Sequence, residues 1–140
     1  MNAKKIAVFT SGGDSPGMNA GVRAVVRTCV FNGVEAIGIK RGYLGMVEGD
    51  FMVMGTNSVS NVIQRGGTIL KTSRCEVFKT ADGMKQAYGN LKKAGIDGVV
   101  QNLPVELGQS VGMGEQIALV GSVDSLFAMI NVSQSDIDLI

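Results

Sequence analysis

The feature that most constrains the fold is a glycine-rich turn set between an apolar run and a run of helical periodicity. The turn occupies residues 10–19 and reads TSGGDSPGMN, after apolar residues 6–9 and before a helical run that begins near Ala20. Because Gly12 and Gly13 lack a Cβ, the backbone can turn tightly and bring its N–H groups close to an anion. The positive end of the following helix favours negative charge at the same place. The order strand, turn, helix therefore predicts either a phosphate-binding loop or an ordinary connection between a strand and a helix.

Strand-like and helix-like patterns alternate along the rest of the chain. Strands are predicted at residues 5–10, 34–39, 50–54 and 96–100. Helices are predicted from near Ala20 to a stop at Gly33, from a cap at Ser58 to Gln64, and along a stripe from Met84 to Lys93 that Gly95 ends. The residues expected in the core are Ile6, Val8, Ile37 and Val99 in the sheet, with Val22, Val26 and Leu91 packed over it. Such alternation predicts an α/β fold: an open, mostly parallel, Rossmann-like sheet with helices on both faces.

Length and charge exclude several classes of protein. With 140 residues, the chain is expected to form one α/β domain over residues 1–140, large enough for a core. A net charge of +1 gives no general attraction to nucleic acid or to a membrane surface. No apolar run approaches the roughly 20 residues that span a bilayer, and the first residues lead straight into a strand. A cytoplasmic protein is therefore expected, with Cys29 as a buried thiol on the apolar helix face.

The glycine-rich turn is neither of the two commonest nucleotide-binding fingerprints, because it lacks both G-x-G-x-x-G and G-x-x-x-x-G-K-[ST]. It closely resembles the first motif of the ATP-dependent 6-phosphofructokinases. The resemblance continues in order through RGYLG at residues 41–45, SVS at 58–60, RGGT at 65–68, SR at 73–74 and NLKKAGID at 90–97. It covers roughly residues 1–100 without an obvious gap and stops beyond Val100.

This resemblance implies ATP-dependent phosphorylation of fructose 6-phosphate to fructose 1,6-bisphosphate in glycolysis, with ATP and magnesium as cofactors. The implied partners are ATP or ADP, and a sugar phosphate in full-length relatives. The implied ATP-binding residues are Gly12, Tyr43, Arg74 and Cys75. A guanidinium at Arg74 can clamp phosphate oxygens, although the bland alternative is a solvated surface arginine. Tyr43 lies in a glycine-flanked loop, where it either supports a purine or packs as a partly buried aromatic.

Arg23 and Arg27 form a second candidate site. They are four residues apart and share the helix face opposite the valines, as a solvated basic face or with an anion between them. In many bacterial members of the resembling family, this segment binds an allosteric nucleotide at a subunit boundary, which implies a homo-oligomer. Ser58 and Ser60 match a second segment of that effector site. A basic residue often found just before them is replaced here by the pair at residues 56–57.

Residues 101–140 do not match the family. After the strand that ends at Val100, the family carries a Gly-Gly-Asp-Gly-Ser motif whose acidic residue serves the magnesium–nucleotide site. This chain has Pro104 at the expected position of that aspartate, and proline has no carboxylate to bind a hard cation. The family's catalytic aspartate motif and its fructose 6-phosphate-binding arginines are not found either. No catalytic residue and no metal ligand are therefore assigned.

The unmatched tail is expected to complete the sheet, with a turn at residues 112–114, a strand at 115–120, a helix capped by Ser122 and a final strand from Asp136. The chain is then a partial or hybrid phosphofructokinase that is inactive alone. The alternative is a non-catalytic or engineered α/β module that retains the phosphate-binding turn.

Overall fold

The computed structural model of the chain describes residues 3–13, 17–102 and 119–123. Its strands are β1 (Lys5–Val8), β2 (Glu35–Ile39), β3 (Phe51–Met54), β4 (Gly98–Asn102) and β5 (Leu119–Ser122). Its α-helices are α1 (Met18–Phe31), α2 (Tyr43–Glu48) and α3 (Ala81–Lys93), and short 3-10 helices span Thr56–Val59 and Val77–Lys79. Within the described ranges, none of these helices is long and apolar enough to cross a membrane.

The five strands form one sheet in the order β3-β2-β1-β4-β5. The central strand β1 pairs in parallel with β2 and β4, whereas the edge strands β3 and β5 pair antiparallel with their neighbours. The α/β prediction is confirmed, with the parallel pairing concentrated in the centre of the sheet. The antiparallel β3 follows from its connection, because residues 40–50 are fewer than the dozen or so that a parallel crossover needs.

Helices cover both faces of the sheet, as predicted. Successive residues of a strand point to opposite faces, so Ala7 joins the cluster under α2 and α3, and Val8 joins the cluster under α1. The predicted core residues Val8, Val22, Val26, Ile37, Leu91 and Val99 are buried. Ile6 is only half-buried, because it lies at the margin of the cluster under α1. Cys29 is buried as predicted, and this burial raises the pKa of its thiol.

The helix predicted over residues 58–64 is wrong. A 3-10 helix of four residues, Thr56–Val59, stands there instead. Ser58 is not a helix cap but lies inside this short helix, where its Oγ accepts a hydrogen bond from the Gly55 N–H at 3.1 Å. The chain cannot continue as a helix, because Asn61 takes a left-handed conformation with φ of 52°.

Helix α2 was not predicted, and Tyr43 is its first residue where a loop was expected. Glycine has a low helix propensity, and the Gly-Tyr-Leu-Gly sequence around Tyr43 therefore reads as a turn. Packing overrides that propensity, because Met46 and Val47 are buried in the cluster beneath α2 and α3.

The strand predicted at residues 115–120 overlaps β5 only at residues 119–120, and β5 pairs with β4; residues 115–118 lie outside the described residues. Ser122, predicted as a helix cap, is the last residue of this strand. The rest of that helix, the turn at residues 112–114 and the final strand from Asp136 lie outside the described residues.

Candidate functional site

The candidate site lies at the carboxyl edge of the parallel strands, where ligands of open α/β sheets bind. The chain leaves β1 into the turn that holds Gly12, which is exposed and has φ of 90°. A Cβ added at Gly12 would meet no atom within 4 Å, so the turn is open, while its positive φ favours glycine. Helix α1 then begins after Gly17, and this glycine N-cap makes no side-chain hydrogen bond to the first turn. The first N–H groups of an α-helix have no partner within the helix itself, and such groups can bind an anion.

A buried hydroxyl joins this turn to the segment that precedes Arg74. Thr10 is 8% exposed, and its Oγ1 lies 2.9 Å from the Thr68 Oγ1 and donates to the Lys71 carbonyl at 3.1 Å. Because a hydroxyl carries one hydrogen, Thr68 is the donor to Thr10. The Thr68 oxygen in turn accepts from the Leu70 N–H at 3.2 Å. The two segments are thus tied by a short chain of partly buried hydrogen bonds.

The turn after β2 packs onto the same junction. The Arg41 N–H donates to the Leu70 carbonyl at 2.8 Å. A Cβ added at Gly42 would lie 2.9 Å from the Thr10 carbonyl oxygen, so this close approach requires glycine. Arg41 and Lys71 both hold left-handed conformations, with φ of 58° and 61°. Three chain segments therefore meet at one edge of the sheet with two strained residues among them.

The side chain of Arg41 is committed within the protein. Its Nη2 contacts the carboxylates of Glu48 and Asp50, at 2.5 and 2.9 Å. Hydrogen bonding to Asp50, and then to Glu48, raises the pKa of Arg41. Its charge is therefore offset by these carboxylates and is poorly placed to serve a nucleotide.

Arg74 and Cys75 take opposite environments. Arg74 is exposed, whereas Cys75 is half-buried and packs against the cluster under α2 and α3. Cys75 thus anchors the segment and leaves the neighbouring guanidinium in solvent. In residues 3–13, 17–102 and 119–123, no group of three or more His, Cys, Asp or Glu residues lies together as a metal site.

Tyr43 is part of an aromatic row. Its ring centroid lies 5.1 Å from that of Phe9, edge to face, and 4.4 Å from that of Phe78. It remains 37% exposed. The contacts show that Tyr43 packs as a partly buried aromatic, which is one of the two alternatives given by the sequence. The exposed part of its ring borders the turn after β2.

The four predicted effector residues are brought partly together. The Arg23 Nη1 donates to the Val59 carbonyl, between Ser58 and Ser60 in sequence. The Ser60 Oγ donates to the Thr56 carbonyl at 3.1 Å, so this hydroxyl is bonded within its own turn. Arg27 is exposed. Arg23 therefore faces the segment of the two serines, with its guanidinium already engaged by a backbone oxygen.

Two residues of this region were missed from the sequence: Thr10 and Asn19. Asn19 is 3% exposed and bonds three backbone groups of the loop at residues 62–69. A signal was present, because Asn19 precedes Val22 and Val26 by three and seven residues and so shares their buried face. A polar residue on an apolar helix face indicates a buried hydrogen-bonding role.

Fold and geometry define a Rossmann-like α/β protein. An open glycine turn lies at the edge of its sheet where ligands of such proteins bind. A sequence profile described as Phosphofructokinase matches residues 5–102. The chain is 56% identical over 97 residues to the ATP-dependent 6-phosphofructokinase of Halothermothrix orenii, which covers 69% of this chain and 29% of that protein. It is 57% identical over 97 residues to ATP-dependent 6-phosphofructokinase 1 of Thermus thermophilus, covering 69% and 30%.

Solved structures agree with the sequence comparison. Phosphofructokinase from Saccharomyces cerevisiae superposes with a TM-score of 0.67 at 46% identity, over 69% of this chain and 13% of the yeast chain. The T-state phosphofructokinase of Pichia pastoris gives 0.67 at 42% identity, over 71% and 11%. The chain belongs to the phosphofructokinase family. It spans less than a third of the length of these curated relatives.

Proposed function

We propose that the chain supplies the ATP-binding part of a cytoplasmic, glycolytic ATP-dependent 6-phosphofructokinase, which phosphorylates fructose 6-phosphate. The observation that carries this proposal is the hydrogen bonding of Thr10 to Thr68 and to the Lys71 carbonyl. These bonds tie the Gly12 turn to the segment that ends at Arg74. Family membership supports it, because the matched relatives are named ATP-dependent 6-phosphofructokinases.

The proposed division of labour follows the needs of phosphoryl transfer, which depends on positioning and positive charge more than on covalent help. Backbone N–H groups at the Gly12 turn would bind phosphate oxygens, and the Arg74 guanidinium would clamp them with paired hydrogen bonds. Arg41 is less suited, since two carboxylates already hold it. Cys75 would contribute by anchoring the segment, and Tyr43 by its partly exposed ring.

Magnesium is implied by the family, but the residues at hand do not fit a complete site. The described ranges hold no group of three or more His, Cys, Asp or Glu residues that could bind a metal ion. Pro104 occupies the position expected for the family's acidic residue and offers no carboxylate. We therefore derive no step through the metal, and propose that the chain is a partial phosphofructokinase that does not complete the reaction alone.

A nucleotide effector site is the second part of the proposal. Arg23 and Arg27, with Ser58 and Ser60, would bind an allosteric nucleotide at a boundary between subunits of a homo-oligomer. The Arg23 bond to the Val59 carbonyl supports the juxtaposition of the two segments. An anion bound there would compete with that carbonyl for the guanidinium.

The alternative function is a non-catalytic α/β module that keeps the phosphate-binding turn. The departure of residues 101–140 from the family pattern favours it. Binding of ATP without turnover is compatible with both functions. Absence of ATP binding would exclude the ATP-binding part of a phosphofructokinase.

A matched pair of glycine substitutions tests the ATP site. Gly12 and Gly33 both have positive φ, 90° and 69°, and a Cβ at either meets no atom within 4 Å. Gly12→Asp and Gly33→Asp therefore add the same charge and a similar backbone strain, but only the former places a carboxylate among the N–H groups proposed for phosphate. We expect Gly12→Asp to weaken ATP binding at least about tenfold, or roughly 1.4 kcal/mol, and Gly33→Asp to leave it near wild type.

Isothermal titration calorimetry of the wild type and both variants measures this difference. Equal ATP affinity in all three proteins rejects the turn as the phosphate site. A wild-type chain that does not bind ATP rejects the proposed function itself.

A further inference from the structure

We propose that Asn19 is a positioning residue for the phosphate-binding edge: its carboxamide holds the loop at residues 62–69 against the start of α1 and so sets the place of Arg74. This inference rests on the proposed ATP function and concerns a residue that need not touch the nucleotide.

The carboxamide of Asn19 makes three hydrogen bonds to backbone groups. Its Nδ2 donates to the carbonyls of Val62 and Arg65, at 3.1 and 3.2 Å, and its Oδ1 accepts from the Ile69 N–H at 2.8 Å. An asparagine amide has two N–H donors and an oxygen that can accept two hydrogen bonds; here both donors and one acceptor position are matched to backbone groups. A single side chain on α1 therefore closes a loop that has no strand partner of its own.

The same loop is held on its other side by the turn after β1. Thr68 precedes Ile69 and bonds to Thr10 at 2.9 Å. Leu70, with 0% exposure, is packed in the cluster under α1. Between the pinned Ile69 and the exposed Arg74 lie only four residues, so a displaced loop would carry the guanidinium with it. Misplacement by about 1 Å can cost a binding or catalytic group much of its effect.

Packing alone does not account for asparagine at this place. Asn19 lies on the buried face of α1 with Val22 and Val26, where an apolar side chain would avoid the cost of burying polar atoms. An amide that is buried and bonded to three backbone groups specifies one arrangement of the loop, which an apolar side chain would not. We therefore infer that the side chain at residue 19 serves to fix the conformation of the loop, rather than only to fill the core.

The matched control is Asn90, which makes a comparable clamp elsewhere. Its Nδ2 donates to the Met46 and Val47 carbonyls, at 3.1 and 2.7 Å, and so joins α3 to α2. Asn19→Leu and Asn90→Leu each remove hydrogen bonds to two backbone carbonyls, and both are expected to lower stability. Only Asn19→Leu frees the loop that leads to Arg74.

The experiment measures ATP affinity by calorimetry and residue-resolved amide hydrogen exchange for the whole chain. We expect Asn19→Leu to weaken ATP binding at least about tenfold and to accelerate exchange locally over residues 62–75. Asn90→Leu should accelerate exchange around α2 and change ATP affinity by no more than about twofold.

Unchanged ATP affinity in Asn19→Leu overturns the proposal even if the variant is less stable. So does exchange that rises uniformly, because that reports global stability alone. If the wild type does not bind ATP, the proposed function has failed, and the exchange pattern alone decides whether Asn19 positions the segment. If Asn19→Leu does not fold, Asn19→Ala removes the same hydrogen bonds without adding a charge near the phosphate site, and the same measurements apply.

Discussion

At the scale of single residues, side chains hold backbone that regular pairing does not reach. Asp97 is an example just before β4. Its Oδ2 accepts the N–H groups of Lys4 and Lys5, at 2.8 and 2.9 Å. The bond from Lys5, and then that from Lys4, lowers the pKa of Asp97, because both favour the ionised carboxylate. The start of β1 is thus tied to the approach to β4 by a charge.

This tie predicts a specific dependence of stability on pH. The folded pKa of Asp97 lies below the unfolded value of about 3.9, so its contribution is present above that value and is lost as pH falls through the folded pKa. Asp97→Asn should therefore unfold at lower urea than wild type near pH 7, with the difference shrinking as pH falls below about 4. Urea titrations across that range measure it. A difference of the same size near pH 3 would contradict the assigned role.

At the scale of elements, α3 carries a contrast between two of its glycines. A Cβ added at Gly83 would lie 1.9 Å from the Val77 carbonyl oxygen, whereas one added at Gly89 meets nothing within 4 Å. Gly89→Ala should stabilise the protein by roughly 0.5–1 kcal/mol through helix propensity. Gly83→Ala should destabilise it by about 1–3 kcal/mol, because rigid backbone must move. Denaturation midpoints of the two variants decide this, and shifts of the same sign would refute the packing of α3 on residue 77.

Periodicity predicted the helices whose buried face consists of apolar residues at regular helical spacing. The spacing of Val22, Val26 and Cys29 predicted α1, and the stripe through Leu91 predicted α3. Periodicity did not predict helix α2, because close packing requires a glycine inside it. A Cβ at Gly45 would lie 1.8 Å from the Lys40 carbonyl oxygen. Propensity alone cannot report such a contact.

The candidate site divides in the same way. The glycine turn is a local motif and the family resemblance points to Arg74, so both could be proposed as site residues from the sequence. Their junction could not, because Thr10 and Thr68 are 58 residues apart and only the fold brings their hydroxyls to 2.9 Å. Long-range hydrogen bonds of this kind leave little periodic trace in a single sequence.

At the scale of the whole molecule, the departure of residues 101–140 from the family pattern leads to a prediction about activity. We expect the 140 residues by themselves to show no turnover of fructose 6-phosphate with ATP and magnesium. The reason is Pro104, which stands where the family carries an acidic residue. A coupled assay measures this, with Gly12→Asp as the background. Turnover above that background would show that the missing carboxylates are supplied in another way.

The central place of β1 also bears on the order in which the chain is made. A nascent β1 can pair with β2 soon after translation of α1, but its other edge waits for β4, since Lys4 and the Asp97 that binds it are 93 residues apart. During that interval the growing polypeptide presents a strand edge whose backbone N–H and C=O groups are unpaired, which is a template for pairing with other chains. A chain released before β4 is made would therefore keep this edge open to other chains, so completion of β4 is expected to protect the centre of the sheet from aggregation.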